Sequence, residues 1–217
     1  MHIKSSVKSF MVLLFLSVSL GANASLITNG TFDSDLSGWT INGSANGNID
    51  TVWNAGTAHL GRPGQEGFSE FYQLFTVDAN AMSADIWFDY QWQVTAPSTP
   101  DEFDVYFQYL DANTSQFVVV NLFSMLSSNA TFGQTAQFNG MLDLTGYNLA
   151  GTTNNAGLFF KLTETPNTPA SPGTRIQLDN VQFETSAAGN SFAVPAPGTL
   201  LLLSLSLLGI GWSSRKK

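Results

Sequence analysis

The sequence predicts an all-β domain, a β-sandwich of the jelly-roll type, between a leader at one end and an apolar anchor at the other. Apolar and polar residues alternate with period two along much of the chain, which is typical of half-buried strands. Turn-forming residues separate these runs at short intervals. Apart from the two ends, no stretch has the period of a helix. Many short strands at this spacing favour a sandwich or jelly roll.

The first 24 residues have the pattern of a secretory signal peptide. Lys4 and Lys8 supply positive charge, residues 10–20 are apolar, and Ala22-Asn23-Ala24 is a small-residue cleavage site. The apolar run is too short to span a bilayer stably. The mature chain is therefore expected to begin at Ser25, with one domain over residues 25–193.

The expected domain is strongly acidic and has no cysteine. Five of the eight basic residues lie in the end segments, which leaves Arg62, Lys161 and Arg175 against 16 acidic residues, a formal charge of −13. Such a surface repels nucleic acid and anionic lipid, so no nucleic-acid partner is expected. Without disulfides, an exported domain depends on its core or on bound metal for stability.

Seven runs of the domain are predicted to be strands. The clearest lies at residues 85–94, where apolar side chains at even positions alternate with mostly polar ones. Small polar clusters between the runs, among them Asn42-Gly43-Ser44, are predicted turns. The predicted strands are residues 71–77, 85–94, 103–109, 116–123, 135–144, 156–163 and 175–184.

The last predicted strand changes phase in its middle. Ile176 and Leu178 place apolar side chains at even positions. Val181 and Phe183 place them at odd positions. Because a slip of one residue sends every later side chain to the other face, we predict a β-bulge at Asp179-Asn180.

Three motifs stand near the two ends of the domain: Asn29-Gly30-Thr31-Phe32-Asp33, Gly38-Trp39 and Leu178-Asp179-Asn180-Val181. Together they resemble the galactose-binding-like jelly rolls, which include several carbohydrate-binding modules. The resemblance implies that the first and last strands lie close together, with a structural Ca²⁺ beside them. Asp33 and Asp179 are the matching carboxylates, and backbone carbonyls would complete the about six to eight oxygen ligands that calcium takes. Alternatively, Asp33 is a turn residue and Asp179 bonds the N-terminal loop.

Catalytic patterns are few, so the chain is not expected to be an enzyme. His59 is the one histidine after the leader, and no zinc-binding histidine pair, phosphate loop or Gly-x-Ser-x-Gly accompanies it. Glycosidases need two carboxylates across a sugar-sized cleft. The candidates for such a pair are expected to face solvent, and they are Asp85, Asp89, Asp101, Glu102 and Asp104.

Three aromatic residues are candidates for binding a glycan. Trp87 and Tyr106 stand on the polar phase of their strands, and Trp53 is predicted to lie at a loop edge. Aromatic faces and planar polar groups hold sugars, so such rings could form a platform on an exposed sheet face. The alternative is that both faces of these strands are buried. Trp39, directly after Gly38, is expected in the core.

The C-terminal segment, residues 194–217, consists of a short proline motif, an apolar run at residues 199–212 and a basic end. As a helix the run is about 21 Å long, which is short for a bilayer core. The basic end is expected to stay cytoplasmic as a membrane stop. The motif is Val194, Pro195, Ala196, Pro197 and Gly198, and the basic residues are Arg215, Lys216 and Lys217.

This segment resembles the PEP-CTERM sorting signal, the substrate of the membrane peptidase exosortase, with Ala196 where the family has Glu. The resemblance implies export through the inner membrane, transient anchoring by a single transmembrane helix, and release to the cell surface or extracellular matrix. The expected function is non-catalytic association with extracellular polysaccharide, as in a biofilm. The alternatives are a structural matrix protein without a ligand site and, third, a carbohydrate-active enzyme.

Overall fold

Two antiparallel sheets of five strands each make up the sandwich. The computed structural model describes residues 25–44, 51–61, 67–93, 100–165 and 174–187. The predicted leader, its cleavage site and the whole C-terminal sorting and anchor segment lie outside the described residues. No helix within the described ranges is long and apolar enough to cross a bilayer.

Sheet A has the strand order β1-β4-β9-β6-β7, and sheet B has the order β2-β3-β10-β5-β8. This architecture confirms the predicted all-β jelly-roll sandwich. A short 3-10 turn at Ser127–Asn129 joins the two sheets between β7 and β8. The strands are β1 (Thr40–Ser44), β2 (Val52–Asn54), β3 (Thr57–Leu60), β4 (Gly67–Phe75), β5 (Ala81–Gln93), β6 (Glu102–Leu110), β7 (Phe117–Leu126), β8 (Thr135–Asp143), β9 (Ala156–Glu164) and β10 (Arg175–Ala187).

All seven predicted strands are present as β4 to β10, with ends shifted by a few residues. The prediction of a turn at Asn42-Gly43-Ser44 is wrong, because these residues form most of β1. Each of them pairs with β4, with Asn42 opposite Glu70. Pairing to an existing strand satisfies the backbone and overrides the local turn tendency.

The core is aromatic and lies between the inner faces of the sheets. Phe88 of sheet B meets Phe160 of sheet A edge-on, with ring centroids 5.2 Å apart. Phe107 of sheet A stacks on Phe183 of sheet B at 5.4 Å. All four rings are fully buried, and each contributes about 1.5–3 kcal/mol of hydrophobic stabilisation.

The predicted bulge is present in β10. Asp179 lies opposite Asp89, but the next paired residue, Gln182, lies opposite Trp87, so the register shifts between them. Asn180 adopts a left-handed conformation with φ of 52°, which Asn tolerates better than most residues. As a result both halves of the strand turn their apolar side chains inward, and Val181 is only 2% exposed.

The N-terminal segment, residues 25–39, closes one side of the sandwich. Leu26 N donates to Phe183 O at 2.8 Å, and Val181 N donates to Gly30 O at 2.9 Å, so the segment runs along β10. Trp39 is buried as expected and stacks on Phe71 at 4.3 Å. The resemblance implied that the first and last strands lie close together; in the structure the segment that precedes β1 lies beside the last strand, while β1 itself belongs to sheet A.

Asp101 departs from its expected solvent-facing position, since it is completely buried. Its carboxylate accepts hydrogen bonds from Thr165 N at 2.8 Å and from the Thr174 hydroxyl at 2.6 Å. Its backbone N–H donates to Ser127 Oγ at 2.9 Å. One side chain thus ties three chain segments together, and the buried carboxyl group is tolerated because hydrogen bonds surround it.

Gly30→Ala is expected to lower the free energy of unfolding by about 2–3 kcal/mol. A Cβ at this position would lie 2.0 Å from Val181 O, and that backbone cannot move without breaking β10. Gly151→Ala is the matched control, because its Cβ would have no atom within 4 Å. Urea unfolding of a 25–193 segment measures both. Equal stability of the two variants would contradict the close approach.

Asp101→Ala is expected to destabilise the domain by about 3 kcal/mol, because it leaves buried donors without an acceptor. Glu102→Ala is the control one residue away, where the side chain is exposed and bonds only Ser124 Oγ among the described residues, at 3.0 Å. Its effect should stay within about 0.5 kcal/mol. The same unfolding measurement tests this pair, and a larger loss for Glu102→Ala would refute the assignment.

Candidate functional site

A row of three aromatic rings crosses the outer face of sheet A. Tyr72 of β4 lies opposite Phe159 of β9, which in turn lies opposite Tyr106 of β6. Adjacent strands lie about 4.8 Å apart, so rings at matching positions stack. The Tyr72 and Phe159 centroids are 4.6 Å apart and those of Phe159 and Tyr106 are 4.9 Å apart, with planes within 17°.

The stacking decides which ring surfaces a ligand can reach. Phe159 is 7% exposed, because a neighbouring ring covers each of its faces. Only the end rings, Tyr72 and Tyr106, keep a face that no ring of the row covers. The row therefore offers a ligand one ring face at each end, on Tyr72 and on Tyr106, rather than a flat platform of three rings.

A carboxylate stands beside this row. Glu70 accepts a short hydrogen bond from the Tyr106 hydroxyl, and Asn42 Nδ2 donates to Glu70 Oε2 at 3.2 Å. Burial, followed by the hydrogen bond and the charge of Glu70, raises the pKa of Tyr106 far above its ordinary value. The phenol therefore stays protonated and acts as a donor that fixes the carboxylate.

The other end of the same face is apolar. Leu74, Phe117 and Val119 are between 45% and 59% exposed there. Gly157 lies in the middle of this end, between Leu74 and Gln108 in the register. A Cβ on Gly157 would lie 2.8 Å from side-chain atoms of Leu74 and Phe159. Because glycine has no side chain, the surface is recessed at this position.

Most of these residues line a cleft of about 260 Å³, whereas Tyr106 and Val119 lie beside it. It has an aromatic wall, a polar end with an anchored carboxylate, and an apolar end. Such a surface suits a flat ligand with both apolar faces and hydroxyl groups. The lining residues are Asn42, Glu70, Tyr72, Leu74, Gln108, Phe117, Ala156, Gly157 and Phe159.

The three rings named from the sequence do not share one surface. Tyr106 belongs to the row on sheet A. Trp87 lies on the outer face of sheet B, between Gln182 and Asn139 in the register. Trp53 lies in the edge strand β2, where its Nε1 donates to Phe32 O at 2.6 Å.

Tyr72 and Phe159 were missed by sequence reasoning. The alternation of its strand places Tyr72 on the same face as Leu74, but nothing in the sequence marked this face as a binding surface. Phe159 lies within the continuous apolar run of β9, residues 156–160, in which no alternation marks the outer face. Sequence alone also could not show that strands far apart in the chain bring these rings into register.

The proposed metal carboxylates lie close enough to affect each other. Burial, together with the charges of Asp89 and Asp33, raises the pKa of Asp179. Asp33 is exposed and accepts from Thr31 Oγ1 at 2.9 Å. Within the described residues, no group of three or more His, Cys, Asp or Glu side chains is placed to hold a metal. Calcium would therefore need backbone carbonyl oxygens as well.

His59 and the acidic candidates do not assemble a catalytic site among the described residues. His59 is buried, and its Nε2 lies 2.9 Å from Thr57 Oγ1. Burial and the charge of Arg175 lower its pKa, so the imidazole stays neutral. Asp85 and Asp89 lie half-buried on the outer face of sheet B, while Asp104 lies on that of sheet A.

Comparison with protein families identifies the C-terminal segment. Residues 193–216 match the family model described as the PEP-CTERM protein-sorting motif. The match confirms the sorting signal expected from the proline motif, the apolar run and the basic end. The family model matches even though Ala196 stands where the family has Glu. No curated protein matches the chain.

Among the solved structures to which the sandwich is similar are three carbohydrate-binding modules. The N-terminal cellulose-binding domain of β-1,4-glucanase C from Cellulomonas fimi has 14% identity and a TM-score of 0.49, over 76% of this chain and 99% of that chain. The xylan-binding module CBM15 has 15% identity and a TM-score of 0.49, over 76% and 99%. The CBM22-1 xylan-binding domain from Paenibacillus barcinonensis has 15% identity and a TM-score of 0.47, over 77% and 98%.

Asp179→Asn is expected to stabilise the domain at pH 7 in EDTA. The raised pKa of Asp179 means that folding favours its protonated form, so this group's contribution to stability falls as pH rises through the raised pKa. The amide keeps an acceptor for Asn180 N–H, which lies 2.7 Å from Asp179 Oδ1. The gain should vanish near pH 3, where the parent carboxyl is protonated in both states.

Asp143→Asn is the control variant, for which the expected change in stability at pH 7 has the opposite sign. Hydrogen bonds from Thr145 lower the pKa of Asp143, so its contribution is present above the ordinary pKa of aspartate and is lost as pH falls. This variant should therefore be less stable than the parent at pH 7. Urea midpoints at several pH values measure both, and a stabilising Asp143→Asn would contradict the electrostatic account.

Proposed function

We propose that this chain is an exported, exosortase-sorted protein of the cell surface or extracellular matrix, whose sandwich binds extracellular polysaccharide without catalysis. The cleft on the outer face of sheet A carries the binding part of the proposal. The sorting motif at residues 193–216 supports export and processing by an exosortase-type peptidase. The inner membrane is then a transient partner, through the apolar run at residues 199–212.

Tyr72 offers the main stacking surface in the cleft. The ring face that Phe159 does not cover can take the apolar face of a sugar ring, and stacking against an aromatic ring adds to simple burial. Asn42 and Glu70 stand beside it with their planar groups already bonded to each other, so little side-chain order is lost when a ligand binds. The apolar end around Leu74 and Phe117 accommodates the neighbouring unit of a chain.

A binding role fits the carboxylates better than hydrolysis. Glu70 is the one acidic side chain among the described residues that line the cleft, and glycosidases need two. Both of its oxygens are already engaged, by Tyr106 and Asn42. Glu70 therefore works as a fixed acceptor for sugar hydroxyl groups.

The charge of the domain selects among polysaccharides. With a formal charge of −13 over the expected mature domain and a carboxylate in the cleft, anionic polymers are repelled. The expected ligand is a neutral, equatorially linked polysaccharide, whose rings present flat faces. Binding should weaken little when salt is added, because no ion pair holds the ligand.

The calcium expected at Asp33 and Asp179 enters this proposal as a structural ion. Two carboxylates that repel each other provide part of a hard-cation donor set. When bound, the ion would neutralise that repulsion and join the N-terminal segment to β10. It has no part in the cleft, which lies on the other sheet.

Tyr72→Ala is expected to weaken polysaccharide binding by about 1–2 kcal/mol, a factor of roughly five to thirty in Kd. Isothermal titration of the 25–193 segment with soluble neutral β-glucans and xylans, with Ca²⁺ or EDTA, measures the effect. Trp87→Ala is the control on the opposite sheet and should leave Kd unchanged. Circular dichroism and urea midpoints verify that both variants are folded.

The possible outcomes distinguish between the two candidate sites and between the alternative functions. Loss of binding in Trp87→Ala but not in Tyr72→Ala would move the site to sheet B and sink the cleft assignment. Absence of binding to every polysaccharide would favour the structural matrix role instead. Release of reducing sugar by the parent would overturn the non-catalytic assignment.

A further inference from the structure

We propose that two copies of this chain associate edge to edge through β7, which extends sheet A into one continuous sheet. This interaction surface adjoins the glycan cleft, because Phe117 of β7 also lines the apolar end of that cleft, but the pairing rests on the strand edge and not on glycan binding. The partner is a second copy of the same chain, joined by an antiparallel pairing of β7 with itself.

Strand β7 is a long strand at one edge of sheet A. It pairs with β6 through nine residue pairs, and no other strand among the described residues pairs with it. Its free backbone groups form a template for another strand. Natural edges are commonly protected by charged residues or proline, but the sequence of β7, FVVVNLFSML, has neither.

The side chains of β7 are apolar even where they face solvent. Phe117 is 58% exposed, Val119 is 59% exposed and Leu126 is 39% exposed. Val118 and Val120, on the inner side, are only partly buried against the core. A strand docked beside β7 would remove part of this surface from water, which favours association.

The charge distribution favours a second copy as the occupant. No charged residue occurs between Asp111 and Asp143, whereas the remainder of the expected mature domain carries all 16 acidic residues. This neutral stretch contains both β7 and β8, the adjoining edges of the two sheets. Two acidic copies repel each other elsewhere on their surfaces, so the neutral edge is the place where they can meet.

Symmetry and register define the pairing. An antiparallel strand can pair with its own copy about a two-fold axis, which is the usual closed arrangement of a homodimer. The register of β7 on β6 shifts between Val105 and Tyr106, which leaves Leu122 as the extra residue of a bulge. Residues 117–121 form the regular stretch before that bulge, so Val119 lies at its centre.

Single-cysteine cross-linking tests the pairing in the full-length chain. The parent has no cysteine, so a disulfide can only join two copies. Val119→Cys places its sulfur at the centre of the regular stretch, where opposing Cβ atoms come within disulfide range. Val52→Cys is the matched control, a 42% exposed valine on the edge strand β2 of sheet B.

The expected result is a covalent dimer for Val119→Cys on mild oxidation, formed at least tenfold faster than for Val52→Cys. The same difference should persist when the protein is diluted, until the non-covalent dimer dissociates. Equal rates at the two positions would mean random collision and would overturn the proposal.

A charge-exchange experiment gives an independent result. Val119→Lys and Val119→Asp each place like charges opposite each other across the two-fold axis, which destabilises the pair. Sedimentation should show a dimer for the parent, monomers for each variant alone, and a dimer again for their mixture. At concentrations low enough for the parent to be monomeric, the urea midpoints of both variants should lie close to that of the parent, because Val119 is exposed. A monomeric parent at every concentration, or dimers of Val119→Lys alone, would refute edge pairing.

Discussion

The sandwich depends on one extra residue in β10. This strand is the middle strand of sheet B and pairs with both β3 and β5. Without the bulge, either the first or the second half of its apolar side chains would face water, and one half includes Phe183, which is fully buried. Asn180 holds the bulge in place, since its side chain donates to Asp89 Oδ2 at 2.8 Å.

The same bulge organises the surroundings of β10. It points Val181 N–H away from the sheet partner and toward the carbonyl of Gly30, so the N-terminal segment can lie against the strand. It also turns Asp179 toward Asp33 and Asp89, which explains why burial and like charge raise the pKa of that carboxyl. A single irregularity thus fixes the core, the closing segment and the acidic cluster.

Much of the fold could be predicted because it follows from patterns in consecutive residues. The alternation in β5 and the phase slip around Asp179-Asn180 are visible in consecutive residues, and side-chain period two converts them directly into faces and a bulge. The β1 strand was not predictable, since Asn42-Gly43-Ser44 is a turn sequence that becomes a strand only through its pairing with β4. The burial of Asp101 was equally hidden, because its partners Thr165 and Thr174 are more than 60 residues away in sequence.

The candidate site was only partly predictable for the same reason. Tyr106 could be named from its own strand, but the row that it completes requires the register of β4, β9 and β6. Trp87 has an equivalent local pattern and lies on the opposite sheet. Sequence pattern therefore identifies rings that point outward, and only the strand order shows which of them share a surface.

The course of β10 also has a consequence for how the domain forms. Sheet B lacks its middle strand until residues 175–187 are available, and the N-terminal segment bonds to those same residues across more than 150 positions of sequence. Contacts this distant close late and make folding slow. During synthesis or translocation, the chain must therefore stay incompletely folded until the last strand has emerged, directly before the sorting motif at residues 193–216. Maturation of the domain and presentation of its sorting signal are thereby coupled in time.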